Sequence, residues 1–161
     1  MGEMIKVGMA DLKLCKAPDA ITTLGLGSCI GIAIRDPITK VGGLAHIMLP
    51  DSKKIANNTC IAKFADTGIA ELVRIMVAAG ASRTRLVAKI AGGAQMFALQ
   101  SKSDTMAVGA RNAEAVVRIL GEMKIPILAQ DTGLNYGRTV EFFPETGDFV
   151  IKAVGRDVKK I

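Results

Sequence analysis

Two stretches in the middle of the chain have apolar residues at helical spacing. The first stripe is Ile69, Leu72, Val73 and Met76, and the second is Ala113, Val116, Val117 and Leu120. Asp66 stands where an N-cap is expected, and Gly80 suits a left-handed helix end. Pro126 prevents the second helix from continuing. The pattern therefore predicts two amphipathic helices that each show one apolar face to a sheet.

Short apolar runs rich in β-branched residues lie around these helices and predict strands. They cover residues 20–24, 30–34, 41–49, 86–90 and 125–129. Two further runs, 139–143 and 149–154, flank the turn sequence 144–147 and predict a hairpin. The order of elements predicts an α+β fold with mixed β-sheet layers and packed helices. We expect residues 1–161 to form a single domain.

Composition limits the partners that the chain can have. Its formal charge is +6, which favours an acidic partner. A nucleic-acid partner is not expected, because the basic residues are scattered in pairs and the chain has one Tyr and no Trp for base stacking. The longest uncharged run, 20–34, is too short for a membrane helix. We therefore expect a cytoplasmic protein without direct membrane insertion.

Cysteine and histidine, the usual zinc ligands, are few in this chain. Cys15, Cys29 and Cys60 form no Cys-x-x-Cys pair, and His46 is the only histidine. An odd number of cysteines does not close into a disulfide framework, and a zinc site would need ligands without the usual short spacing. We expect free thiols, no metal and no cofactor.

Residues 23–31, Thr-Leu-Gly-Leu-Gly-Ser-Cys-Ile-Gly, are rich in glycine. They do not fit a dinucleotide loop, because the third glycine comes one residue late and no helix pattern follows. Gly25 and Gly27 permit a backbone that aims the N–H groups of Ser28 and Cys29 at one point, as an oxyanion hole requires. The loop therefore suggests a cysteine nucleophile, although a buried free cysteine is often only a small core residue.

A cysteine nucleophile needs a base, and His46 is the one imidazole in the chain. An ordinary thiol is only about 3% ionised at pH 7, so an imidazolium partner is expected to stabilise the thiolate. If residues 30–34 and 41–49 pair in an antiparallel hairpin centred near residue 38, position 29 lies opposite about 47. The alternative is a core histidine that hydrogen bonds a carbonyl.

Six motifs keep their order along the chain and together resemble the CheD family of chemoreceptor glutamine deamidases. They occupy residues 23–29, 35–37, 45–52, 89–97, 109–112 and 131–133. The resemblance implies a cysteine hydrolase fold like that of cytotoxic necrotizing factor. It also implies a catalytic triad in which Cys29 is the nucleophile, His46 the base and Thr23 the third member.

The same resemblance implies the reaction and the partners. Glutamine side chains of chemotaxis receptors would be converted to glutamate with release of ammonia, through a thioester intermediate. The CheC phosphatase would bind the protein, regulate it and be stimulated by it. Met96 and Phe97 form a candidate anchor for that partner, although Phe97 can also pack in the core. Two other readings stay open, which are a regulatory binding module for CheC and a receptor methylesterase.

Overall fold

The structure is a computed structural model that describes residues 2–96 and 107–161. Within these ranges the chain forms ten strands, two α-helices and three short 3-10 turns. The helices are α1 (Ala65–Ala78) and α2 (Val108–Glu122). The strands are β1 (Met4–Val7), β2 (Asp11–Lys16), β3 (Ala20–Leu26), β4 (Ile30–Arg35), β5 (Val41–Ile47), β6 (Val87–Gly92), β7 (Ile127–Thr132), β8 (Arg138–Phe143), β9 (Asp148–Lys152) and β10 (Lys159–Lys160).

The strands form two five-stranded mixed sheets. The first sheet has the order β1-β3-β8-β9-β10, and the second has the order β2-β5-β4-β6-β7. Each sheet contains one parallel pair, β1 with β3 and β6 with β7, and its other pairs are antiparallel. The predicted α+β class is confirmed, and so is the hairpin between β8 and β9.

The central strands of the second sheet, β4 and β5, are buried on both faces. Along β4, Ile30, Ile32 and Ile34 pack with both helices, whereas Cys29 and Ala33 pack with residues of the first sheet. Successive strand residues face opposite sides, so one strand supplies both cores. Continuous burial of this kind produces the unbroken apolar run that marked β4 in the sequence.

Helix α1 begins differently from the prediction. Phe64 is its N-cap residue and makes no side-chain cap, and Asp66 lies inside the first turn. The Asp66 carboxylate instead accepts hydrogen bonds from Ser52 N at 3.0 Å and Ser52 Oγ at 2.7 Å. The prediction of Asp66 as N-cap was therefore wrong. The predicted stop at Gly80 is confirmed, because its φ is +113° directly after the C-cap residue Ala79.

Helix α2 buries Val116 and Leu120, as predicted, but its buried face differs from the predicted stripe at Val117. Val117 is 41% exposed, while Ala115, Ile119 and Asn112 are buried. The apolar spacing gave the correct helix, but its buried face includes a polar residue that a count of apolar positions does not select. This polar residue, Asn112, reaches the loop that carries Cys29, as described below.

Asp36, in the turn after β4, is a fully buried carboxylate. It accepts hydrogen bonds from Ile38 N at 2.9 Å and Ser82 N at 2.8 Å. The Arg85 guanidinium donates to both of its oxygens, at 3.0 and 2.8 Å. The Arg85 pair and these backbone donors hold the pKa of Asp36 well below its usual range, although burial alone would raise it. Asp36 thus connects the β4–β5 turn to the segment after α1.

We expect Asp36→Asn to lower the free energy of unfolding by about 2–4 kcal/mol at pH 7, because the buried donors lose a charged acceptor. A folded-state pKa below the unfolded value means that the contribution is complete above about pH 4 and declines as the pH falls further. Urea unfolding at pH 7 and pH 3 measures both effects. Glu145→Gln, which removes the exposed pair with Lys40, serves as the control and should change little. A difference between Asp36→Asn and the parent that does not shrink at pH 3 contradicts this account.

Candidate active site

The register of β4 and β5 determines which side chains face each other. Ile30 pairs with Ile47 and Gly31 pairs with His46. Continuing this register places Cys29 opposite Met48, one residue beyond the predicted position 47. The correction matters because a shift of one residue reverses the face of every side chain. Position 47 faces the helices, whereas His46 faces the first sheet, as Cys29 does.

Cys29 and His46 are therefore diagonal neighbours on one face of the second sheet. Diagonal positions across an antiparallel pair lie within reach of long side chains. Gly31, directly opposite His46, has no side chain to separate them. A Cβ at Gly31 would approach Leu26 Cδ1 to 3.0 Å, so the close packing of the two sheets also favours glycine there.

Thr23, on β3, connects His46 to the first sheet. Its Oγ1 lies 2.7 Å from His46 Nδ1 and 2.8 Å from the carbonyl oxygen of Val7. The carbonyl can only accept, so the single hydroxyl proton of Thr23 is donated to Val7. The hydroxyl oxygen must then accept the Nδ1–H of His46. This arrangement leaves Nε2 of the neutral ring with its lone pair.

Nε2 of His46 is buried and has no hydrogen-bond partner among the described residues. The whole His46 side chain is buried, and burial lowers the pKa of His46 below its usual value. The ring is therefore neutral at pH 7. A buried acceptor without a donor is costly in a folded protein, and such exceptions concentrate at functional sites.

The Cys29 thiol is also neutral at rest. Burial raises its pKa, and the hydrogen bond from its own backbone N–H lowers it to a smaller extent. Burial thus favours the uncharged form of both groups at rest, in place of the expected thiolate and imidazolium pair. Cys29 is 7% exposed while His46 is fully buried, so of the two residues only Cys29 reaches the surface.

The other two cysteines differ from Cys29. Cys15 is buried, and burial followed by the nearby Asp19 charge raises its pKa to about 12. Cys60 is exposed and lies near the carbonyl oxygen of Ala10. Neither thiol forms a hydrogen bond with Thr23 or His46 among the described residues.

The loop before β4 is attached to the end of β6. Gly93 N donates to Cys29 O and Ala94 N donates to Gly27 O, both at 2.9 Å. Gly92 has φ +114°, and a Cβ there would overlap Cys29 O. Glycine at this position therefore permits the close approach of the two backbones.

The proposed oxyanion donors lie in this loop. Among the described residues, the N–H groups of Ser28 and Cys29 donate to no backbone acceptor. Gly25 has φ +70°, as the sequence suggested, whereas Gly27 does not adopt a positive φ. The space that Gly27 leaves is filled by Met96, since a Cβ at Gly27 would lie 3.2 Å from Met96 Cγ.

Of the two predicted anchor residues, Met96 is the last residue of the first described range and Phe97 follows it. Met96 is 45% exposed beside the Cys29 loop. Phe97 lies outside the described residues. Sequence reasoning missed Asn112, although it ends the motif Gly-Ala-Arg-Asn; an isolated asparagine in a helix pattern gave no reason to connect it with Cys29.

In the part of the chain that the structure describes, no group of three or more His, Cys, Asp or Glu side chains could hold a metal ion. Over the same residues, no helix has the length and apolar character needed to cross a membrane.

Comparison with known proteins identifies the family. The model for "CheD chemotactic sensory transduction" matches residues 48–153. A relative from Lachnoclostridium phytofermentans, called a probable chemoreceptor glutamine deamidase CheD, is 65% identical over the full length of both chains. The chain belongs to the CheD family. The chemoreceptor glutamine deamidase CheD of Halalkalibacterium halodurans is 50% identical and also aligned over both full lengths.

One solved structure adds a likeness of fold to the CheD relationship. The crystal structure of the Bacillus licheniformis hypothetical protein YfiH matches with a TM-score of 0.50 and 16% identity. The match covers 78% of this chain and 51% of that protein, so the chain corresponds to about half of its length. Thr23, Cys29 and His46 precede the segment matched by the CheD model, so their roles depend on the site geometry.

Because His46 is the only histidine, its ring can be observed without ambiguity by ¹⁵N NMR. We expect an Nδ1-protonated neutral ring at pH 7, because Thr23 accepts from Nδ1. We also expect the ring to protonate only below its usual pKa, because burial disfavours the charge. Thr23→Val should abolish the tautomer preference, and Thr23→Ser should keep it. An Nε2-protonated ring in the parent protein would disprove the assignment.

Proposed function

We propose that this protein deamidates glutamine side chains of chemotaxis receptors to glutamate, with Cys29 as nucleophile, His46 as base and Thr23 as the residue that orients the ring. Its membership of the CheD family supports the substrate class. The observation that carries the assignment is the buried, unpaired Nε2 of His46. Thr23 orients the ring through Nδ1, and the ring lies on the same face of the second sheet as Cys29.

The first half of the reaction forms a thioester. Cys29 Sγ attacks the carbonyl carbon of the glutamine carboxamide while its proton passes to His46 Nε2. A tetrahedral intermediate results, whose oxyanion accepts hydrogen bonds from the N–H groups of Ser28 and Cys29. His46 then returns the proton to the amide nitrogen. The C–N bond breaks, ammonia leaves, and the acyl group stays on the sulfur.

The second half restores the enzyme. His46 Nε2 accepts a proton from water as the water oxygen attacks the thioester carbonyl. The C–S bond breaks, the receptor side chain leaves as glutamate, and the sulfur takes back the proton from His46. Thr23 keeps Nδ1–H directed away from the reaction throughout both halves. Its uncharged hydroxyl stabilises the transient imidazolium less than a carboxylate would.

A neutral thiol and a neutral imidazole imply that the proton moves during the attack. Charge separation in a buried site is unfavourable until the developing oxyanion is present to balance the imidazolium. Sγ and Nε2 form no hydrogen bond in this structure, and hydrogen bonds of this kind often tighten only in the substrate complex. We expect Sγ to turn towards Nε2 when the carboxamide occupies the loop.

We expect Cys29→Ala to reduce the conversion of receptor glutamines below about one-thousandth of the parent rate, because the covalent step is lost. Mass spectrometry of a receptor fragment detects the one-dalton gain at each converted glutamine. Cys60→Ala removes an exposed thiol whose hydrogen bond is to the carbonyl oxygen of Ala10, and it should keep the parent rate. Circular dichroism checks that both variants are folded. Parent-like conversion by Cys29→Ala refutes the mechanism.

The thioester route also serves ester substrates, so receptor methylesterase activity is the second candidate of the same chemistry. Both substrates use the same nucleophile, base and oxyanion donors. The curated relatives are called glutamine deamidases, which favours the amide. Release of methanol from a methylated receptor fragment, measured beside release of ammonia, separates the two activities.

We further propose that the surface around Met96 binds the CheC phosphatase. Met96 is partly exposed and packs against Gly27, so a partner seated on it would lie beside the nucleophile loop. Such a partner would both cover the site and respond to changes in the loop. This role coexists with catalysis, and the cytoplasm is the compartment that suits both partners.

We expect Met96→Glu to weaken CheC binding about tenfold or more, because a charge replaces an apolar anchor. Ile38→Glu is the matched control, since Ile38 is 71% exposed in the turn at the far end of β4. Surface plasmon resonance with immobilised CheC measures both variants. Equal affinity of Met96→Glu and the parent rules out this surface, and intact binding by Cys29→Ala shows that the two roles are separable.

A further inference from the structure

Strands β4 and β5 separate at the end that carries the candidate nucleophile and base. Their regular pairing ends at Ile30 and Ile47. Beyond this point Met48 N and Leu49 N both donate to Lys63 O, at 2.8 and 3.0 Å. The Cys29 loop bonds instead to the end of β6. Past the last pair, each strand is therefore bonded to a different neighbour.

Asn112 of α2 bridges this gap. Its side-chain Nδ2 donates to Ser28 O and to Met48 O, each at 2.9 Å. Both partners are carbonyl oxygens, so the amide orientation is fixed by their need for donors. One carbonyl directly precedes Cys29 and the other lies two residues after His46. The side-chain amide of Asn112 thus connects the two strands where they no longer form backbone hydrogen bonds with each other.

Asn112 can reach both strands because its helix comes unusually close to them. A Cβ at Gly109 would overlap the carbonyl oxygens of Gly93 and Ala94. Glycine at this position therefore lets the first turn of α2 touch the loop after β6, and Asn112 follows almost one turn later. Asn112 is fully buried, so water does not compete for its donors.

The remaining acceptor of Asn112 is a further unusual feature. Its Oδ1 is buried and has no hydrogen-bond partner among the described residues. A helix position that served packing alone would be better filled by an apolar side chain, because an unsatisfied buried polar atom is costly. The two hydrogen bonds from Nδ2 to the strand ends offset the cost of the unpaired Oδ1.

We propose that Asn112 is a positioning residue that sets the separation of Cys29 and His46. This inference rests on the proposed deamidase function for its kinetic consequence. Asn112 touches neither reacting side chain and acts through the two carbonyls that it holds. A displacement of about 1 Å between nucleophile and base reduces a rate by up to about 100-fold.

The kinetic test uses the full chain and a receptor fragment. We expect Asn112→Ala to lower kcat by about 10- to 100-fold with little change in KM, because the substrate surface is untouched while the reacting pair is displaced. Val116→Ala, one turn along the same helix in the core, is the matched control for lost packing and should keep kcat. Asn112→Ser, which keeps one donor, should recover part of the rate. Parent-like kcat in folded Asn112→Ala or Asn112→Ser overturns the proposal.

A second test needs no receptor. Alkylation of Cys29 by iodoacetamide, followed on the Cys29 peptide by mass spectrometry, is measured in the parent, His46→Ala, Asn112→Ala and the double variant. We expect each single change to slow alkylation and the double variant to react as slowly as His46→Ala, because Asn112 acts through the base. Additive losses, or an unchanged rate in His46→Ala, overturn the proposal. Absence of glutamine conversion by the parent protein would instead disprove the proposed function, while the alkylation cycle would still decide the role of Asn112.

Discussion

The buried hydrogen bond between Thr23 and His46 is the constraint on which the site depends. It joins the two sheets, because Thr23 lies on β3 and His46 on β5. The second bond of Thr23, to Val7 O, fixes the direction of the first. A single hydroxyl therefore determines both the ring orientation and the nitrogen that keeps its lone pair. Without the packing of one sheet on the other, neither would be defined.

Burial also determines how the proton moves. A thiolate and imidazolium pair is stable where the two charges are close and solvated, but here burial raises one pKa and lowers the other. Burial therefore favours an uncharged resting site, and in the proposed mechanism the imidazolium that appears during attack is balanced by the oxyanion of the substrate. In the proposed mechanism a reactive thiolate therefore does not form before a carboxamide is bound.

The loop that carries Cys29 is held by hydrogen bonds from several elements. The end of β6 donates to Gly27 and Cys29, and α2 donates to Ser28 through Asn112. Gly92 and Gly109 are needed because a side chain at either would overlap a neighbouring carbonyl. Motifs that are far apart in the chain thus all contact the loop at residues 27–29. The glycines of these motifs permit close backbone packing, so they need not indicate a ligand-binding loop.

The sequence by itself determined the helices, most strands, the β8–β9 hairpin and the candidate residues Cys29 and His46, because periodicity and residue chemistry are local properties of the chain. Thr23 became a candidate only through the resemblance of the ordered motifs to the CheD family. The sequence did not determine the one-residue register that places Cys29 and His46 on the same face, since this depends on turn geometry and packing. The short strands β1, β2 and β10 lacked a distinctive pattern. The pKa directions and the role of Asn112 were decided only by the tertiary structure, because burial and long-range hydrogen bonds arise when distant segments pack together.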